Sequence, residues 1–99
     1  MPSVFIRQQV KDYDKWKAGF DGDIAVRQAG GSIGAQVFRD ADEGSNAVSI
    51  LLEIKDMESV QNLLARMQTP EMQALMADAG VIGAPEAVYV LTDGIETPG

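Results

Sequence analysis

Residues 47–54 read Ala47-Val48-Ser49-Ile50-Leu51-Leu52-Glu53-Ile54, and the reading of this run decides the fold. It contains no proline, so it can supply both rows of ladder hydrogen bonds, as a central strand must. Apolar side chains fall on both parities in Ile50-Leu51-Leu52, and the same holds for Val88-Tyr89-Val90-Leu91 near the C-terminus. A strand wetted on one face alternates apolar with polar residues, so these runs predict a sheet kept from water on both faces.

Working outward toward the C-terminus, Asp56 is placed to cap a helix whose core stripe is Met57, Val60, Leu63, Leu64 and Met67. Thr69-Pro70 interrupts that stripe. Proline fits the first turn of a helix, so Thr69 reads as a new cap for a second segment carrying Met72, Leu75, Met76 and Ala79, closed by Gly80. Residues 81–85 read as a loop, Ala87–Leu91 as the last strand and residues 92–99 as a frayed polar tail.

Toward the N-terminus, Asp40-Ala41-Asp42-Glu43-Gly44-Ser45-Asn46 is a turn cluster, preceded by a strand over residues 32–39. Gly30-Gly31 ends a helix in which Tyr13, Trp16, Phe20, Ile24 and Arg27 recur at spacings of three and four. Asp12 or Asp14 caps its start, and Gly19 and Gly22 point to close backbone approach or a break near residue 22. Ser3–Val10 is the first strand.

The order β-α-β-β-α-β is that of the ferredoxin-like α+β fold, a four-stranded antiparallel sheet with both helices on one face. The other face would carry Leu51, Val88 and Val90 or their alternates, an apolar patch of the kind that marks an interface. A homodimer formed through the sheet face, with two-fold symmetry, is the predicted assembly.

A chain of 99 residues is expected to hold one hydrophobic core, so residues 1–99 are read as a single domain with its core in residues 3–93. With no cysteine and no histidine, disulfides, thiolate nucleophiles, the commonest metal ligand and the commonest general base are all missing. The net charge of −7 is uneven: residues 1–40 hold six Lys and Arg against five Asp and Glu, residues 41–99 two against ten. Such a surface repels phosphate over a Debye length of about 8 Å, which argues against a nucleic-acid partner. No run approaches the roughly 18 apolar residues of a membrane helix, and a cytoplasmic location is the default expectation.

Three segments carry a resemblance: residues 10–17 (Val-Lys-Asp-Tyr-Asp-Lys-Trp-Lys) with Phe20-Asp21 and Arg27, then Val37-Phe38-Arg39-Asp40, and residues 76–86. Together they resemble the small dimeric α+β barrel proteins, which include antibiotic-biosynthesis-monooxygenase-like domains, polyketide cyclases and many members without an assigned role. The resemblance covers residues 3–93 and implies a pocket in each subunit between helices and sheet. Haem-dependent branches bind iron through histidine, which this chain lacks, so no cofactor is expected. The cofactor-free oxygenase branch binds an electron-rich aromatic substrate, stabilises its anion and lets that anion reduce dioxygen. No catalytic position is carried over. The implied function is a small-molecule-binding homodimer, acting as a cofactor-free monooxygenase or a cyclase or isomerase on an aromatic or polyketide-like substrate. The alternative is a non-catalytic ligand-binding or stress-related dimer.

Candidate ligand contacts follow from residue chemistry. Trp16, with Tyr13 and Phe20 on the same stripe, can wall a flat ligand or can anchor the helix to the sheet. Arg27 can hold a carboxylate or phenolate by paired N–H bonds, or lie across apolar surface with its head in water. Glu53 can pair with Arg7 across neighbouring strands or, if inward and desolvated, serve as a general base. Met72 and Met76 lie in the interrupted helical region, a candidate lid, and Tyr89 can present its hydroxyl there. The acidic clusters match no calcium loop and read as caps and turns, so no metal site is expected.

Overall fold

A computed structural model describes residues Met1–Gly99. The chain forms β1 (Ser3–Val10), α1 (Tyr13–Gly22), α2 (Ile24–Ala29), β2 (Ser32–Arg39), β3 (Ala47–Ile54), α3 (Met57–Met67), α4 (Pro70–Asp78) and β4 (Val81–Leu91). The strands make one antiparallel sheet in the order β2-β3-β1-β4. This is the ferredoxin-like α+β arrangement, with each crossover helix divided into two segments. No helix is long and apolar enough to cross a membrane.

Local chemistry sets the breaks. Asp12 accepts from Lys15 N–H at 3.3 Å and opens α1, while Asp56 accepts from Ser59 N–H at 2.7 Å and opens α3. The α1–α2 break falls at Asp23, directly after Gly22. At the α3–α4 break the Thr69 hydroxyl donates to the Arg66 carbonyl at 2.8 Å and accepts from Met72 N–H at 3.3 Å, with Pro70 at the first helical position.

Register separates the two faces. Val4, Ile6 and Val10 of β1 and Val48, Ile50, Leu52 and Ile54 of β3 are buried against the helices. Trp16 of α1 and Val60 of α3 complete that core, flanked by partly buried Leu63, Leu64 and Met67. Three side chains assigned by spacing to the helical stripes, Ile24, Met57 and Leu75, are exposed. Each lies in a short segment or at a helix start, where few turns constrain which side faces the sheet.

The open face carries the alternate row, with Phe5 opposite Leu51 on β3 and opposite Tyr89 on β4. Phe5 and Tyr89 stack at 6.1 Å. Exposed Phe38 (51%), Tyr89 (58%) and Leu91 (42%) extend this apolar surface. The outward residues of β4 are therefore Tyr89 and Leu91, whereas Val88 and Val90 pair with inward Ile6 and Val4 and face the helices.

The expected loop at residues 81–85 is instead the first half of β4. Ile82 pairs with Gln9 and Ala87 with Arg7, so residues 83–86 bulge out opposite a single residue of β1. Gly83, at φ +68°, and Pro85, which has no N–H, are tolerated because β4 is an edge strand.

Candidate ligand cleft and the polar network of the open face

The bulge of β4 and the break between α3 and α4 face each other. Between them lies a cleft of about 460 Å³. Leu64, Met67 and Gln68 from the end of α3 form one wall, and Gln73, Met76 and Ala77 of α4 a second. The bulge residues Gly83, Ala84 and Pro85, with Val81 and Val88, make the third. The size suits a small organic molecule, and the lining is mostly apolar with two carboxamides, each able to donate and accept. No lining side chain is ionisable. Proton transfer from protein to ligand therefore has no group to run through, whereas burial of a flat apolar body with one or two oriented hydrogen bonds has all that it needs.

The sequence-selected residues fall in three places. Tyr13, Trp16, Phe20 and Arg27 form one ladder along α1 and α2: Tyr13 to Trp16 at 6.1 Å, Trp16 to Phe20 at 5.1 Å, and the Arg27 guanidinium 3.7 Å above the Phe20 ring. Arg39 extends it at the other end, 4.1 Å from the Tyr13 ring. Trp16 is 4% exposed, within the core. The Arg27 head donates to the Phe20 carbonyl, and burial lowers its pKa, an effect opposed by Asp23 and Asp21. Met76 lines the cleft, while Met72, on the same helix, is half-buried outside its lining. Glu53 and Tyr89 lie on the open face, both exposed, so Glu53 does not point inward and Tyr89 is on the side of the sheet away from the cleft. Gln68, Gln73 and the bulge residues carry no motif; only Gly83 and Pro85, out of place in a strand, signal an irregular edge.

Arg7 does not pair with Glu53, which sits opposite Ser3. Its guanidinium instead forks onto Asp40 at 2.8 and 2.9 Å, reaches Glu86 at 3.1 Å and Ser49 Oγ at 3.4 Å. Ser45 Oγ donates to Asp40 at 2.7 Å, and Gln9 donates to Glu86. The network ties the turn after β2 to β1 and to the β4 bulge across the open face. The Arg7 hydrogen bond, then that of Ser45, holds the Asp40 carboxyl well below the usual range; Glu86 is lowered by Gln9 first and Arg7 next. A carboxylate depressed in the folded state stabilises above its unfolded pKa, near 4, and loses that contribution as pH falls toward the folded value. The expected result is a urea midpoint that declines below about pH 4. Asp40→Asn should lower the midpoint at pH 7 and flatten this decline, leaving the remainder to Glu86 and to Asp56, whose carboxyl the Ser59 backbone N–H holds below its ordinary value. An acid limb of unchanged steepness in that variant would exclude Asp40 as its source.

No protein-family model matches this sequence, and no curated protein matches it. Solved structures do. SnoaB, a cofactor-independent oxygenase from Streptomyces nogalater, is similar at a TM-score of 0.71 and 16% identity, over 99% of this chain and 97% of that one. A putative antibiotic biosynthesis monooxygenase from Caulobacter crescentus is similar at 0.65 and 20% identity, over 96% and 90%. A dimeric ferredoxin-like protein from an uncultured marine organism is similar at 0.65 and 10% identity, over the whole of both chains. At these identities the likeness establishes the ferredoxin-like fold, the one shared by antibiotic-biosynthesis-monooxygenase-like proteins.

Proposed function

We propose that this protein is a homodimer, one domain per subunit and cytoplasmic, that binds a small, flat, largely apolar molecule in the cleft between α3–α4 and β4. The observation that carries this reading is the cleft itself: about 460 Å³, apolar walls, two carboxamides and no ionisable side chain. The exposed apolar row of the open face supports a second copy as the cover of that face. The similar fold of SnoaB, a cofactor-independent oxygenase, supports oxygen chemistry as the reaction, with cyclisation or isomerisation as its relatives.

For a hydroxyarene the reaction balances without a cofactor. The substrate supplies four electrons: one oxygen atom takes the place of the single hydrogen at a ring carbon to give a quinone, and the second oxygen atom leaves as water with that ring hydrogen and the equivalent of the hydroxyl proton. The hydroxyl proton goes to solvent, since no lining residue can take it. Gln68 and Gln73 are the donors available to the resulting oxyanion. The pH dependence of the rate should then follow ionisation of the substrate and not of the protein.

Oxygen uptake with a panel of hydroquinones and hydroxynaphthoates tests the reading. Saturable uptake is expected, lowered about a hundredfold in Gln73→Ala if it serves the oxyanion. Met76→Trp, which narrows the cleft, should lower it as well. Saturable binding without uptake, weakened in Met76→Trp, would favour the non-catalytic binder, a reading to which the absence of any ionisable lining group also points. Neither binding nor uptake would remove the cleft from consideration.

A further inference from the structure

Residues 41–99 contain two basic side chains, Lys55 and Arg66, and the fold brings both to one place. A second cleft, of about 340 Å³, opens between the turn at Ala29–Gly30 and the side of α3 that presents Ser59, Asn62 and Arg66, with Lys55 at its edge. Helix α3 is the wall between the two clefts, since Leu64, Met67 and Gln68 line the first.

Neither cation is held in an ion pair, although Lys55 is near enough to Asp56 to help lower its carboxyl. The ion pairs of the protein are those of the N-terminus with Asp93, Arg7 with Asp40 and Glu86, and Lys17 with Asp21. Arg66 Nε is buried without a hydrogen-bond partner. Nη1 and Nη2 also form no hydrogen bond, and they are not buried, so they are the donors that a ligand in the cleft would meet. The backbone makes room for this arrangement. A Cβ at Gly30 would stand 2.9 Å from Arg66 Nη2, and one at Gly31, at φ +100°, 2.6 Å from Ser59 Oγ. The Lys55 N–H donates to the Gly31 carbonyl at 2.9 Å, fixing the turn beside the end of β3.

Two carboxylates also line the cleft and narrow the ligand class. Asp56 is committed to capping α3 through Ser59 N–H, and Glu58 forms no ion pair. Two cations against two carboxylates leave the cleft neutral, so a phosphate dianion would bring it to −2 and a single carboxylate only to −1. A single carboxylate matches the fork of one guanidinium and adds one charge.

We propose that this cleft binds a small molecule through one carboxylate, held by the Arg66 guanidinium with Lys55 as the second cation and Ser59 and Asn62 as neutral partners. The site is separate from the apolar cleft, and it stands or falls independently of the function proposed there.

The test is a titration of the ¹⁵N-labelled full chain with sodium propionate, and separately with inorganic phosphate, at constant ionic strength made up with chloride. The readout is the Arg66 Nε–Hε signal and the Gly30, Gly31 and Ser59 amides. Propionate should give saturable shifts in the millimolar range, and phosphate a weaker response. Arg66→Met and Lys55→Met should each weaken propionate about tenfold. Gly30→Ala keeps both charges and, at φ −81°, an acceptable backbone, but its methyl group displaces the guanidinium and should weaken binding as well. Thermal unfolding checks that each variant folds. Propionate shifts that rise linearly like those of chloride would overturn the site, as would unchanged affinity in the folded variants. A phosphate response equal to or above that of propionate would overturn the carboxylate class.

Discussion

Leu51→Asp is expected to sediment as a 10.6 kDa monomer, and the wild-type chain as the proposed dimer of twice that mass. Leu51 lies on central strand β3, opposite Phe5 of β1, and Phe5 in turn stacks on Tyr89 of β4. These three side chains make an apolar band across three strands of the open face. Packing such a band against its two-fold mate removes it from water, and that burial drives association. An aspartate in its middle would be desolvated without a cation opposite. The cost of an unpaired buried charge is about 4 kcal/mol, and two-fold symmetry places one in each subunit, so the dissociation constant should rise by at least about a thousandfold. Leu51 is only half-buried in the isolated chain and points away from the core, so the variant should keep its far-ultraviolet circular dichroism. Unchanged sedimentation in Leu51→Asp, or a monomeric wild type at micromolar concentration, would show that a second copy does not cover this face.

The sheet was legible where local chemistry and tertiary pairing agree. Ser3–Val10, residues 32–39 and Ala47–Ile54 are bounded by residues that must turn or cap, and the structure places β1, β2 and β3 on those ranges. The caps Asp56 and Thr69, and Asp12 as one of two choices with Asp14, were readable for the same reason: a short side chain that bonds its own backbone acts within four residues. The start of β4 was not, because Gly83 and Pro85 are loop residues by local preference and join the strand only through pairing with β1 and a bulge. Parity could not choose between Val88 and Tyr89 as the outward residue, since both are apolar and register is fixed by the partner strand. The cleft was half legible. The helix break at Thr69–Pro70 and Met76 could be read directly, but Gln68 and Gln73 have the composition of any exposed helical position. Lys55 and Arg66 show the limit most plainly: their scarcity is visible in the chain, and their convergence beside Gly30 requires the fold.

Trp16→Ala is expected to lower stability by about 4 kcal/mol, the usual cost of emptying a large aromatic site in a core. For a domain of this length each kcal/mol shifts the melting temperature by roughly 4–8 °C, so the variant should melt about 20 °C lower. The size follows from where the side chain sits. Trp16 belongs to the buried cluster with Val4, Ile6 and Val60, and its ring lies between Tyr13, tilted against it, and Phe20, stacked on it, so both would lose an aromatic neighbour. Trp16→Phe keeps most of the volume and one ring face, and should recover more than half of the loss. The same pair of variants decides what the tryptophan is for. A residue that holds α1 to the sheet changes unfolding while the folded remainder keeps its affinity for a ligand in the α3–α4 cleft, about whose lining Trp16 takes no part. A residue that walls a ligand does the reverse. A melting temperature within a few degrees of wild type, with ligand affinity lost, would move the binding site from α3–α4 to the aromatic ladder of α1 and would make the apolar cleft a packing defect beside the β4 bulge.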